Sequence, residues 1–390
     1  MKEIDGANNH RFIFLLSLLL IINTFVRTQY ETLITIGNIS IFVTLIVMFA
    51  YVMHYFVHTK SLLDANDSLI HIAIAMYLIV YTISYYSSAN VDFIYFLKLS
   101  LFFVFILGAV KLRWTPKHIR IFAHLIGIVT LILFLHWVSL DFSQLRFKSI
   151  FRNPNYLGVL LLTMLYFKII AIKYSSRIER FYFLSLIMIN LLVMYSTNSR
   201  SPVLALIVIL IVWILLKKKV KILPYLFLIV ITLNSFFILI YIWLQQTSLG
   251  IFLNKLSIEY LGKSLYSGRS ILWEKIIQKI MEKPLWGYGV GIQPRELMDV
   301  RLTAHNQYLQ ILLEVGILGF LLFLFLIFVI WNALLKNMTS FTARWSLSFF
   351  IGFLIYENFE LTLFQNNYSI AMLQWVIITV GINFIEDNKT

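Results

Sequence analysis

The side chains here that can do chemistry form a short inventory. The chain has eight histidines, 32 lysines and arginines, 18 acidic residues and no cysteine. Disulfide bonds, thiolate metal sites and cysteine nucleophiles are therefore excluded together. There is no Gly-x-x-x-x-Gly-Lys-Ser/Thr phosphate loop, no His-Glu-x-x-His pair and no Asp-x-Asp run. ATP hydrolysis and metal-dependent transfer lose their usual supports. What remains is proton transfer by histidine or carboxylate, and anion binding by arginine, whose planar fork matches phosphate oxygens in pairs.

His305 is the strongest base candidate. It stands in Thr303-Ala-His-Asn-Gln-Tyr-Leu-Gln310, at the expected opening of a helix, where unpaired N–H groups and the positive dipole end attract phosphate. A neutral imidazole there could take a proton from an incoming hydroxyl; the plainer reading is a histidine that only anchors the helix end. Arg200, in Asn198-Ser-Arg-Ser201, and Arg269, in Ser267-Gly-Arg-Ser270, each open an expected helix. They could grip a pyrophosphate, or else snorkel to lipid headgroups. Supporting candidates are Asn306, Arg152 and Glu357, the last of which could pair with an arginine or orient His305. Glu314 falls a turn or two inside an apolar stretch, where an ionisable group is costly and often functional. Asn153-Pro-Asn155 reads as helix-start chemistry.

An apolar frame must position these groups. Hydrophobic residues make up 60% of the chain and charged residues 13%, with a mean hydropathy of +0.85, outside the range of soluble domains. A helix needs about 20 apolar residues to cross about 30 Å of hydrocarbon. Such stretches follow one another at 11–27, 33–57, 67–88, 91–111, 118–139, 154–172, 179–196, 200–216, 223–244, 305–333, 342–358 and 363–383. The expectation is one all-α integral membrane domain over residues 1–390 with about twelve spans. The polar start Met1–Arg11 leads into an apolar run without a small-residue cleavage site, so that run is expected to stay as the first helix.

Positive residues recur in alternate short loops: Lys111, Arg113, Lys117 and Arg120; Lys173, Arg177 and Arg180; Lys217, Lys218, Lys219 and Lys221; Lys336 and Arg344. Such residues near spans are retained inside, so these loops and both termini are expected in the cytoplasm. The loop around 89–90, without positive charge, then lies outside, as does one long extracytoplasmic loop at 245–304. Within that loop, Ser270–Lys283 interleaves Ile271, Ile276, Ile277, Ile280 and Met281 with charged residues, fitting an amphipathic helix at the membrane surface. Pro284 stops it, and Trp286-Gly-Tyr-Gly-Val-Gly291 reads as a turn. By this topology only His136 and His305 lie toward the outside. The net charge of +14 sits in the short loops, which fits topology and anionic lipid better than nucleic acid.

Ser267-Gly-Arg-Ser-Ile-Leu-Trp273, Pro284-Leu-Trp-Gly-Tyr-Gly289 and Ala304-His-Asn-Gln-Tyr-Leu-Gln310, followed by Glu314, Gly316 and Gly319, together resemble the O-antigen ligase and polysaccharide polymerase family, the Wzy/WaaL-like membrane glycosyltransferases. Phe151-Arg-Asn-Pro-Asn155 and Thr197-Asn-Ser-Arg-Ser201 extend the resemblance upstream, so that it covers roughly residues 150 to 335. It implies an all-helical membrane fold of the GT-C type. It also implies glycan transfer from an undecaprenyl-pyrophosphate carrier on the outer face of the cytoplasmic membrane, without metal, nucleotide or other cofactor. Carried across, it gives the pyrophosphate to Arg200 and Arg269 and the acceptor proton to His305. The implied partners are the lipid-linked glycan, membrane lipids, and flippase and chain-length regulator proteins.

The compact chain favours a polymerase that joins lipid-linked repeat units. A ligase, delivering the glycan to lipid A core or another acceptor, is the alternative within the family. From a different class, a lipid-linked oligosaccharide flippase would line a central cavity with charges inside its spans. Here most charges sit at span ends and loops, with Lys98 the exception.

Overall fold

A computed structural model describes residues 6–59, 68–87, 93–143, 146–218, 223–262, 264–266, 269–300, 303–364 and 367–385. The loop around 89–90, Lys219, Lys221, Ser267 and Gly268 lie outside the described residues. The fold is all-α. Its helices are α1 (Gly6–Asn23), α2 (Glu31–Thr59), α3 (Ser68–Ser87), α4 (Phe93–Lys111), α5 (Pro116–Val138), α6 (Pro154–Lys173), α7 (Arg177–Ser196) and α8 (Arg200–Lys217). They continue with α9 (Leu223–Gln245), α10 (Ser248–Leu261), α11 (Arg269–Glu282), α12 (Pro294–Leu297), α13 (Gln307–Lys336), α14 (Phe341–Tyr356) and α15 (Tyr368–Asn383).

Hydrocarbon offers the backbone no hydrogen-bond partner, so apolar stretches of this length close their own N–H and C=O groups as helices. Each of the twelve expected spans holds a helix. Among the described residues, ten are long and apolar enough to cross a bilayer, and α14 and α15 are shorter apolar helices of 16 residues each. At 1.5 Å per residue those two reach only about 24 Å. Both are buried along almost their whole length, as is α6, so they form the centre of the bundle. Small residues let this centre close up: Gly352 of α14 faces Ile209 of α8, and Gly381 of α15 faces Ser346 of α14. Lys168 of α6 is a second cation inside a span, one that sequence reading passed over; it is fully buried and donates to Thr130 at 2.6 Å and Asn190 at 2.5 Å.

Asn9 and Ile385, near the two ends of the described residues, meet the α4–α5 connection. Asn9 donates to the Arg113 carbonyl at 3.4 Å, and the Ile385 N–H to the Trp114 carbonyl at 2.9 Å. The opposite end gathers the turn after α1, the start of α6, the start of α8 and the segment from α10 to α13.

In that segment α11 forms where expected; Ile271 and Met281 of its apolar residues are exposed, and others pack inward. Leu272, Trp273, Ile276 and Ile280 are buried against α9 and α13. The preceding α10, capped by Thr247 accepting from the Gly250 N–H at 3.1 Å, had no counterpart in the sequence reading. The expected continuous span at 305–333 is broken at Gly316, where φ is 61° and ψ is −165°, a region essentially confined to glycine. The break frees backbone groups that the Pro284–Gly291 turn takes up: Leu313 O accepts from Tyr288 N at 2.8 Å, Glu314 O from Gly289 N at 2.9 Å, and Pro284 O from Ile317 N at 2.8 Å. A Cβ on Gly316 would lie 2.3 Å from the Leu285 carbonyl oxygen, and one on Gly287 2.6 Å from that of Glu314. This mutual fit explains why the two glycine-bearing motifs occur together.

Gly316→Ala is therefore expected to lower stability by about 3 kcal/mol or more, read as a fall in the unfolding midpoint of the detergent-solubilised protein. Gly262 also has positive φ but no atom within 4 Å of a built Cβ, so Gly262→Ala should cost only about 1–2 kcal/mol. Equal effects would contradict the docking of turn into break.

Candidate functional site

Local sequence sets each wall of the site. Asn153 caps α6 by accepting from the Asn155 N–H at 2.8 Å, with Pro154 in the first turn, as the Asn-Pro-Asn pattern suggested. Gly158, one turn on, lies under Thr197, Ser199 and Pro202, so α6 and α8 start side by side and Ser199 Oγ donates to Asn155 Oδ1 at 3.0 Å. Asn306 caps α13, accepting from Leu309 N at 3.0 Å, and donates to the Asn358 carbonyl at 3.2 Å. The Gln307 N–H reaches the Glu357 carbonyl at 2.9 Å. The start of α13 is thereby laced to the connection between α14 and α15.

That lacing places His305 beside Glu360. His305 precedes the cap rather than opening the helix, and its φ of 47° is a left-handed conformation that histidine adopts more readily than most residues. Its Nδ1 lies 3.2 Å from Glu360 Oε2. Arg269 Nη2 lies 3.5 Å from Glu360 Oε1, which also accepts from Asn155 Nδ2 at 3.1 Å. The side chains of His305, Arg269 and Glu360 keep 26%, 18% and 16% of their exposure, so the cluster is sheltered yet reachable. Burial by itself would raise the Glu360 carboxyl; the hydrogen bond and charge of His305, the Arg269 guanidinium and the Asn155 amide outweigh it and hold the carboxyl below its ordinary value.

Arg269 is fixed from both sides. Tyr241 donates to the carbonyls of Leu265 and Tyr266 at 3.1 and 2.7 Å, and Trp273 Nε1 to the Ala304 carbonyl at 2.9 Å. The guanidinium also sits 6.0 Å from the Phe359 ring centre. Arg200 donates to the Ser264 carbonyl at 3.0 Å, which ties the start of α8 to the segment leading into Arg269.

Two supporting candidates do other work. Among the described residues Glu357 neither pairs with an arginine nor orients His305: it is fully buried and accepts from the Thr362 N–H at 2.8 Å and from the Thr362 hydroxyl. The reason is geometric. α14 ends at Tyr356, Glu357 turns inward as its cap, and the residue three further on swings over the site. Arg152 pairs with the exposed Glu31 at 3.2 Å, while its N–H bonds the Arg27 carbonyl at 2.9 Å. Glu314 is buried at the helix break, accepting from Gln310 at 2.7 Å and Tyr81 at 3.3 Å. Sequence reading missed Glu360 and Arg27, whose carbonyl accepts the Arg152 N–H. An acid in a short connection on the same side as His305 was the available signal for the first. Arg27, Arg152, Arg200 and Arg269 gathered at one end with Glu31 and Glu360 leave a positive balance suited to an anion.

Removing the central carboxylate should strand its partners. Glu360→Ala is expected to destabilise the protein by about 1–3 kcal/mol, with Glu360→Gln milder, both read from thermal unfolding. Because the folded carboxyl titrates below its ordinary 4.5, its contribution is present above that pH and fades as pH falls through the lowered value. Wild type should lose more stability on acidification than Glu360→Gln; identical profiles would contradict the ion cluster.

Residues 183–324 match the family model described as O-antigen ligase, a stretch that holds Arg200, Arg269 and His305 but not Asn155 or Glu360. A candidate polysaccharide ligase of Rickettsia typhi is 37% identical over 90 residues, covering 19% of this chain and 22% of the relative. One from Rickettsia conorii is 36% identical over 74 residues, covering 15% and 18%. The chain thus spans about a fifth of the length of the curated relatives it matches. The protein is a multi-pass membrane protein, and its residues 183–324 are similar to the O-antigen ligase family.

Proposed function

We propose that the protein is a metal-independent glycan transferase using a lipid-pyrophosphate-linked donor, and that it polymerises undecaprenyl-pyrophosphate-linked repeat units on the outer face of the cytoplasmic membrane. The observation that carries this reading is the convergence of His305 and Arg269 on Glu360, at the end away from Asn9 and Ile385. With the lysine- and arginine-rich loops and both termini in the cytoplasm, that end faces outward.

With Glu360 accepting from Nδ1–H, the His305 Nε2 lone pair is left to take the acceptor hydroxyl proton. As that proton leaves, the acceptor oxygen bonds the anomeric carbon and the bond from that carbon to the pyrophosphate oxygen breaks. The lipid pyrophosphate departs with the electron pair. Arg269, aided by Arg200, stabilises the negative charge growing on it, and Glu360 stabilises the imidazolium, as a carboxylate behind a histidine does. A single displacement of this kind inverts the anomeric centre. The energy resides in the donor's pyrophosphate bond, so the reaction calls for cations and a base, not for ATP.

A second reading, ligation of the glycan to lipid A core or another acceptor, draws on the description of the matching family and on the relatives' names. Both readings use the same chemistry and differ in the acceptor.

Purified protein should extend a lipid-pyrophosphate repeat unit into a ladder of products in EDTA. His305→Ala and Arg269→Ala should each lower the rate about a hundredfold or more with folding intact. A single addition to a non-lipid-linked acceptor would favour ligation instead. Translocation of an unchanged lipid-linked unit across liposomes would replace the transferase reading with a flippase.

A further inference from the structure

α10 leaves the end of α9 through a tight turn. The N–H groups of Gln246 and Thr247 reach back to the carbonyls of Trp243 and Leu244 at 3.1 Å each, and Thr247 then caps the new helix. Gly250 lets the two helices approach closely: a Cβ there would collide with the Leu244 carbonyl and lie 2.6 Å from the Tyr266 hydroxyl. α10 therefore begins at the level where α9 ends. α9 is long and apolar enough to cross a bilayer, and its Leu233, Phe236, Ile240 and Trp243 are exposed, as lipid-facing residues are. Trp243 stands in the last turn, and tryptophan favours the headgroup level.

The faces of α10 differ. Asn254 accepts from the Ser264 hydroxyl at 2.9 Å and from the Leu265 N–H at 2.8 Å. With the buried Gly250 and Ser257, it marks the side turned to the protein. At 3.6 residues per turn, Leu249, Phe252, Leu253, Leu256 and Tyr260 share a stripe about 100° wide along one flank of that side. Lys255 and Glu259 point away from the protein, and Ile251 and Ile258 follow on the other flank, next to Asn254. Leu249, Phe252 and Tyr260 are exposed, as are Ile251, Ile258 and the two charged residues. The wider, unbroken apolar flank is the one that hydrocarbon would cover. It starts where a lipid-facing surface ends, is bordered by charges and carries a tyrosine, which is the make-up of a helix lying in a headgroup layer.

We propose that α10 is an interfacial anchor, with its stripe from Leu249 to Tyr260 seated in the headgroup layer of the bilayer on the His305 side. Continuity with the exposed face of α9 selects lipid over a protein partner as the cover. The consequence reaches the cation cluster. Ser264, bonded to Asn254 on the opposite face of α10, gives its carbonyl to Arg200 at 3.0 Å, and the next two carbonyls are held by Tyr241 ahead of Arg269. The lipid surface thereby sets the depth of the segment that joins Arg200 to Arg269, whatever reaction the two arginines serve.

The cysteine-free sequence makes the test clean. Phe252→Cys and Ile258→Cys each place one thiol on α10 of the full-length protein, one on the stripe and one on the other flank. Each is labelled with the fluorophore NBD and reconstituted at one copy per phosphatidylcholine nanodisc. Lipid carrying a nitroxide just below the headgroup should quench the label at position 252 by about half or more, since such helices sit about 5–10 Å into the headgroup boundary. It should quench the label at 258 much less, and aqueous iodide should give the opposite order. If Phe252→Cys does not fold, Leu249→Cys on the same stripe carries the same expectation. Equal quenching of the two flanks by lipid nitroxide, or the reverse order, would overturn the proposal. Shielding of the stripe label from both quenchers would also overturn it, because protein would then cover the stripe.

Discussion

Glu360 holds one end of this protein together. Its carboxylate is bonded to His305 before α13, Arg269 at the start of α11 and Asn155 at the start of α6, and through Asn155 it is linked to Ser199 at the start of α8. A sheltered carboxylate with a single partner would gain little, because desolvation offsets the attraction. Three donors change the balance, and they come from elements far apart in sequence. The positions of an imidazole and a guanidinium thus become one geometric fact.

The rest of the fold serves that arrangement. α6, α14 and α15 make the buried centre, α13 packs against it, and each delivers a residue or a connection to the same end. The break at Gly316 lets the turn after α11 dock into α13, so α11 is fixed along its length and Arg269 at its start is fixed with it. The Asn234, Tyr308 and Asn358 bonds brace the α14–α15 connection against α9 and α13. Where ligand charge must be met without water, such bracing keeps donors aimed in advance.

Composition and hydrophobic run length made the membrane fold legible, since hydrocarbon leaves helices as the one solution for such stretches. His305, Arg269 and Arg200 could be singled out because they stand at expected helix starts beside turn residues. Glu360 could not. Its neighbour Glu357 looked equivalent, and only the end of α14 at Tyr356 decides which of the two turns inward. The break in α13 was hidden for a related reason: Gly316 in an apolar run reads as a helix glycine until the Pro284–Gly291 turn that needs it is seen against it. α11 looked like a surface helix because its apolar stripe carries no label saying whether lipid or protein will cover it.

On the proposed function, His305 and Glu360 act as one unit in glycan transfer. A double-mutant cycle on kcat/KM with Glu360→Gln, His305→Ala and the pair measures this directly. Strong non-additivity is expected: with His305 absent, the Glu360→Gln change should cost less than about twofold, although it costs about tenfold or more in the presence of His305. Additive losses would mean that the carboxylate does not act through the imidazole.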